Sequence, residues 1–141
     1  MDDAFTLLLG YEGIKVTLKA SYLVKEAGPR YYLHGTEGSF LKYGMDLQEE
    51  ALKNGELPSG NNWGRETEED WGILNTEAGG KSFRGKYEST PGNYGEYYND
   101  IARVLNEGTE PCVTAEHANL VIRIVEAAQE SNKSGKRISA F

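Results

Sequence analysis

The sequence predicts an α+β protein, an open, largely antiparallel (mixed) β-sheet with helices packed on one face. Two patterns carry this. Apolar residues alternate at period two through the first part of the chain and recur at helical spacing through the last part. The segments also run in blocks, in the order strands, short helix, strands, two helices, strand, and do not alternate strand with helix.

The first strand is "AFTLLLGY" (residues 4–11), with Phe5, Leu7, Leu9 and Tyr11 on one face, and Glu12-Gly13 turns the chain. "IKVTLKASYLV" (residues 14–24) returns antiparallel; Ile14, Val16, Leu18, Ala20 and Tyr22 share its apolar face, and Lys15, Thr17, Lys19 and Ser21 its wetter one. A second hairpin is expected from residues 30–35 and 39–43, turning through Thr36-Glu37-Gly38. "DLQEEALKNG" reads as a short helix capped by Asp46, with Glu49 at capping-box spacing and Gly55 as its stop. Residues 56–70 form a polar loop, and "WGILNT" and "KSFRGKYES" two more strands.

The next helix has apolar residues at Tyr94, Tyr97, Tyr98, Ile101 and Leu105, offsets of 0, 3, 4, 7 and 11, between an Asn93 cap and Gly108. Thr114 caps the last helix, which Gly135 ends; Ala118, Val121, Ile122 and Val125 are expected as its buried stripe, and "KRISAF" as a final strand. A single domain is expected, and a chain of 141 residues buries roughly 70% of its unfolded surface.

Composition narrows the function classes. Fifteen basic against 22 acidic side chains give a net charge of -7, which argues against nucleic acid and against an anionic membrane surface. The lone Cys112 excludes an internal disulfide framework and points to a reduced, cytoplasmic setting. No apolar run approaches the ~20 residues that span a bilayer. The acidic opening is unlike a secretory leader. It flows straight into a strand, so an excised domain is expected.

Four stretches invite a chemical reading. "HGTEGSFLKYG" (residues 34–44) has the glycines of a phosphate loop, but a strand follows where a helix N-terminus is required, so it reads as hairpin punctuation. "NTEAGGKSF" resembles a P-loop, yet Asn75 holds the position of the leading glycine. Cys112, Glu116 and His117 fall short of a zinc ligand set and of a Cys–His catalytic pair. "YESTPGNYGEYYND" gathers four tyrosines beside a Gly-rich loop. Tyr97 and Tyr98 fit core packing, while Asn93 and Tyr94 can offer amide and hydroxyl hydrogen bonds to a sugar-like ligand.

"DDAFTLLLGYEGIKVTLKASYLV", "YYLHGTEGSFLKYGMDLQEEALKNGELP" and "YYNDIARVLNEGTEPCVTAEHANLVIRIVEAAQESNKSGKRISAF" together resemble the C-terminal domain of Gfo/Idh/MocA oxidoreductases, over about residues 3–138. The resemblance implies a two-domain enzyme whose N-terminal Rossmann domain binds NAD or NADP. In such an enzyme the C-terminal domain shapes the pocket for a sugar or cyclitol and forms a homo-oligomer through its open sheet face. It implies Asn93 and Tyr94 as substrate contacts, and Lys19 as lining either the pocket or a subunit contact. The family's G-x-G-x-x-G, its Glu-Lys-Pro segment and its Asp-x-x-x-His helix are not in this sequence. No catalytic residue, no cofactor site and no metal site is therefore expected within it, and alone it would be inactive, since the cofactor carries the hydride chemistry. The competing expectation is a stand-alone, non-enzymatic module that binds a sugar or a protein.

Overall fold

The structure, a computed structural model, describes residues 3–60 and 62–140. It contains six strands, β1 (Ala4–Tyr11), β2 (Ile14–Ser21), β3 (Tyr31–His34), β4 (Gly38–Lys42), β5 (Gly72–Ala78) and β6 (Lys81–Tyr87). Three α-helices accompany them, α1 (Gln48–Lys53), α2 (Gly95–Glu107) and α3 (Ala115–Ser134), with one turn of 3-10 helix at Glu68–Asp70. The α+β class is as expected. The strands pair in two sheets, β1-β2 and β3-β4-β5-β6, and every pairing is antiparallel. The chain divides into two units, one of the residues up to Glu26 with those from Glu107 onward, the other Ala27–Asn106.

In the first unit, β1 and β2 pair from Ala4↔Ser21 to Tyr11↔Ile14. Opposed residues share a face in this register, so Leu7, Leu9, Val16 and Leu18 lie together. β2 ends at Ser21, three residues before the expected limit, because the Ser21 hydroxyl accepts the Leu23 N–H at 3.0 Å and bends the chain out of the ladder.

The α3 boundaries match their signals. The Thr114 hydroxyl accepts the His117 N–H, His117 Nδ1 accepts the Thr114 N–H, and Gly135 closes the helix at φ 66°. The packed face does not match. Val121, Ile122 and Val125 are 59%, 56% and 47% exposed, and the half-buried positions are Ile124, Ala127, Ala128 and Ser131, roughly a third of a turn round the helix. α3 carries two apolar stripes, and the one with small residues packs within the unit. Periodicity marks an apolar face without saying which element covers it.

The expected last strand is also corrected: residues 136–140 pair with no ladder. Their carbonyls go to side chains instead, Lys136 O accepting from Ser131 Oγ at 2.6 Å and Ala140 O from Arg123 Nη2 at 2.8 Å. Phe141, the end of that expected strand, lies outside the described residues.

The second unit is built on the β3–β6 meander. Gly79 and Gly80, at φ 59° and 71°, form the two-residue turn between Ala78 and its partner Lys81. This left-handed pair is the conformation a type I′ hairpin demands, and it explains the Gly-Gly-Lys that resembled a P-loop. At the other hairpin, the Gly35 N–H donates to Gly38 O at 2.8 Å, and His34 faces Ser39 across it. Gly38 is thus the first residue of β4 and not the residue that makes the turn. It is glycine because a Cβ there would press on Asn75 O and Thr76 of β5.

α1 begins two residues after Asp46, whose Oδ1 accepts the Gln48 N–H at 2.8 Å. Glu49 does not complete the expected capping box. It turns forward to Lys53, Oε1 to Nζ 2.6 Å, an i,i+4 pair of favourable polarity. The Lys53 hydrogen bond and charge hold the Glu49 carboxyl below its ordinary value, and Glu49 in turn raises Lys53. A lowered carboxyl pKa stabilises the fold above the unfolded-state value and loses that contribution as pH falls through the folded one; the raised lysine loses its own only in alkali. The pair should therefore persist through neutral pH and fail in acid. A 13C titration of the Glu49 carboxyl checks this, and Lys53→Ala should move its midpoint upward.

Candidate functional site

Among the described residues no apolar side chain is buried, and the one buried polar side chain is Gln48, 1% exposed. A glutamine at the start of a helix ordinarily faces water. Here it is the centre of a loop cluster in the second unit.

The carboxamide is oriented by its neighbours. Nε2 donates to Asp46 Oδ1 and Oδ2 at 3.0 and 3.1 Å. Oε1 accepts two N–H groups, Trp63 Nε1 at 2.8 Å and the Tyr94 backbone at 3.0 Å. A carboxylate can only accept here and an indole or amide N–H can only donate, so the amide end is fixed by chemistry. One side chain thereby ties together the β4–α1 connection, the loop before Glu68 and the entrance to α2.

The backbone approaches this centre closely because glycines stand around it. A Cβ on Gly92 would fall on the Asp46 carboxylate and on Gln48 Nε2, and a Cβ on Gly64, at φ 70°, would fall on the Gly92 carbonyl. A hollow of about 170 Å³ opens beside the cluster, lined in part by Leu47, Gln48, Ala51, Trp63 and Arg65.

Tyr94 joins the cluster through its backbone, with Asn93 one residue before it, and neither is among the residues that line the hollow. Asn93 Oδ1 accepts the Gly95 N–H at 3.0 Å and its carbonyl accepts from Glu96 at 3.2 Å, so Asn93 caps α2 as expected. Tyr94 has its amide on Gln48 and is 43% exposed. Tyr97 and Tyr98 pack edge to face, centroids 5.3 Å apart, and are 66% and 71% exposed. The core role expected of them does not hold; α2 has its aromatic stripe on its open side. Lys19 is exposed on β2, opposite Thr6, and belongs to the first unit.

A second polar centre lies in the same unit as Gln48. Lys42 Nζ donates to both oxygens of Glu66, at 2.8 and 2.6 Å, and to Asp70 O at 2.8 Å, with the two side chains only 14% and 11% exposed. Lys86 Nζ donates to the carbonyls of Glu69 and Trp71 at 2.7 and 3.0 Å. These lysines satisfy a loop's carbonyl groups and are structural. Among the described residues no three His, Cys, Asp or Glu side chains converge on a metal position, and no helix is long and apolar enough to cross a membrane.

Sequence reasoning identified Asp46, Asn93 and Tyr94 and missed Gln48 and Trp63. The signal for Gln48 was present as a glutamine following a capping aspartate by two positions, beside a loop with a tryptophan between glycines.

Comparison with known proteins agrees with this architecture. The oxidoreductase family's C-terminal alpha/beta domain matches residues 2–139. The scyllo-inositol 2-dehydrogenase (NADP(+)) IolW of Bacillus subtilis is 41% identical over 96% of this chain and 38% of its own length. The uncharacterized oxidoreductase YdgJ of Escherichia coli is 37% identical over 93% of this chain and 37% of its own. A solved candidate oxidoreductase from Bacteroides fragilis superposes with a TM-score of 0.89 at 47% identity, covering 96% of this chain and 41% of that one. The chain therefore spans about two fifths of the length of the proteins it matches. Antiparallel sheets, a matched span of nearly every residue and a relative above 40% identity have one reading: the chain belongs to the Gfo/Idh/MocA oxidoreductases and is their C-terminal alpha/beta domain.

Proposed function

We propose that this single domain is the substrate-binding and oligomerisation part of an NAD(P)-dependent oxidoreductase acting on a sugar or cyclitol, working in the cytoplasm. The observation that carries the reading is the 41% identity to a protein named as an NADP-linked scyllo-inositol dehydrogenase. The loop cluster supports it, because it holds the backbone of Tyr94, a residue 43% exposed, on a hydrogen-bonded base, a suitable surface for a polyhydroxylated ligand. Tyr94 and Asn93 are the proposed substrate contacts; Lys19, in the other unit, is proposed to line either the pocket or a subunit contact.

The chain's own residues do not fit a nicotinamide cofactor. Every strand pairing is antiparallel, so the described residues build no βαβ crevice in which a pyrophosphate could meet a helix N-terminus. The cofactor, NAD or NADP, is assigned to a Rossmann domain preceding this one in the whole protein. Hydride transfer between it and the carbinol carbon is the chemistry it supplies there.

Titrating this chain with NADH and with NADPH should leave cofactor fluorescence unchanged, and specific binding would sink the assignment. The whole protein should produce NADPH or NADH from scyllo-inositol or a related cyclitol or sugar; no turnover across such a panel would overturn the substrate class. Sedimentation of the whole protein is expected to show a concentration-dependent oligomer, and a monomer throughout would count against the oligomerisation role.

A further inference from the structure

We infer that Gln48 is a positioning residue for the substrate contact at Tyr94, acting through the Tyr94 backbone. The inference rests on the reading of Tyr94 as a substrate contact. Three features support it. Gln48 is 1% exposed, so its amide has exchanged water for protein partners on both ends. Its Oε1 holds the amide of Tyr94 itself, 46 positions away, at the residue where the chain enters α2. Its Nε2 is held in turn by Asp46, so the acceptor oxygen cannot rotate away.

A merely space-filling residue would not need this polarity. The arrangement is a relay of fixed direction: Asp46 orients the Gln48 amide, and the Gln48 oxygen fixes Trp63 and Tyr94. The Tyr94 ring leaves a backbone anchored on both sides, by Gln48 at its own N–H and by the Asn93 cap one residue earlier. The backbone from which the ring departs is therefore fixed before a ligand arrives, and the part of the ordering cost that falls on this segment is already met.

The test exploits the direction of the relay in the whole enzyme. Gln48→Leu removes the acceptor, and KM for the polyol should rise about 10-fold or more with a smaller change in kcat. Gln48→Glu keeps an acceptor but sets a second carboxylate against Asp46, and should behave similarly. The double variant Asp46→Asn/Gln48→Glu reverses the donor, since the introduced asparagine amide now donates to the introduced glutamate carboxylate. KM should then return to within about threefold of the parent. Loss of thermal stability with KM unchanged in both single variants, or no rescue by the double variant, overturns the inference. If Gln48→Leu fails to fold, the pair of glutamate-containing variants still decides.

Tyr94→Phe separates the two readings. If it leaves KM unchanged while the Gln48 series behaves as described, the Tyr94 hydroxyl is wrong as a substrate contact and Gln48 still positions the segment. If Tyr94→Phe raises KM and the Gln48 series does not, the substrate contact stands and the positioning role fails.

Discussion

Gly64→Ala is expected to destabilise the Ala27–Asn106 unit by roughly 2–4 kcal/mol, one of the largest effects of any single methyl group in the protein. Two costs add. The residue sits at φ 70°, where an L side chain strains its own backbone by about 1–2 kcal/mol. The new Cβ would also fall on the Gly92 carbonyl, a backbone atom that cannot swing aside as a flexible side chain would. Relief requires the 62–64 and 92–94 segments to part, and they are joined through Gln48. Gly44→Ala is the control: it lies in the same unit and too has a left-handed backbone, φ 77°, but its Cβ meets nothing within 4 Å, so only the strain term of about 1–2 kcal/mol should appear. Urea unfolding followed by tryptophan fluorescence reads the difference, since Trp63 and Trp71 both lie in the affected unit. Equal losses for the two variants would mean that the close approach of Gly64 to Gly92 contributes nothing.

The same cluster shows what a sequence conveys and what it hides. Local signals were legible. Thr114, Gly135, Asn93 and Gly108 bound the two long helices where capping chemistry puts them, because a cap acts within about four residues of chain. The β1–β2 register followed from alternation and the Glu12-Gly13 turn. Hidden were the contacts between distant segments. Gln48 reaches 15 residues forward to Trp63 and 46 to Tyr94, and no periodicity encodes a polar contact of that span. The α3 stripe failed for a related reason: two apolar faces share the helix, and only the third dimension chooses between them. Tyr97 and Tyr98 repeat the lesson, since a helical offset of aromatic residues is compatible with a core and with an open face. Family resemblance supplied the proposed function that spacing did not, because contacts with a ligand, the role proposed for Asn93 and Tyr94, leave no spacing motif of their own.

Lys42→Met should destabilise the second unit by about 2–3 kcal/mol, although Lys42 lies in a strand and a methionine is of similar length. The lysine ammonium directs all three of its protons to fixed acceptors, two to Glu66 and one to Asp70 O. Removing it leaves a carboxylate 11% exposed with its cation gone, and leaves a loop carbonyl without its donor. An exposed pair such as Arg65–Glu88, with both side chains about half exposed, should contribute at most about 1 kcal/mol when broken by Arg65→Met. The decisive measurement is the double-mutant cycle with Glu66→Gln. If the uncompensated carboxylate dominates, Lys42→Met/Glu66→Gln will be clearly more stable than Lys42→Met alone, because the second change removes the stranded charge. If instead the lost bond to Asp70 O dominates, the double variant will be no more stable than the single one. The first outcome is expected, because a carboxylate shielded from water costs more than a carbonyl, which keeps one lone pair for solvent or a neighbouring N–H.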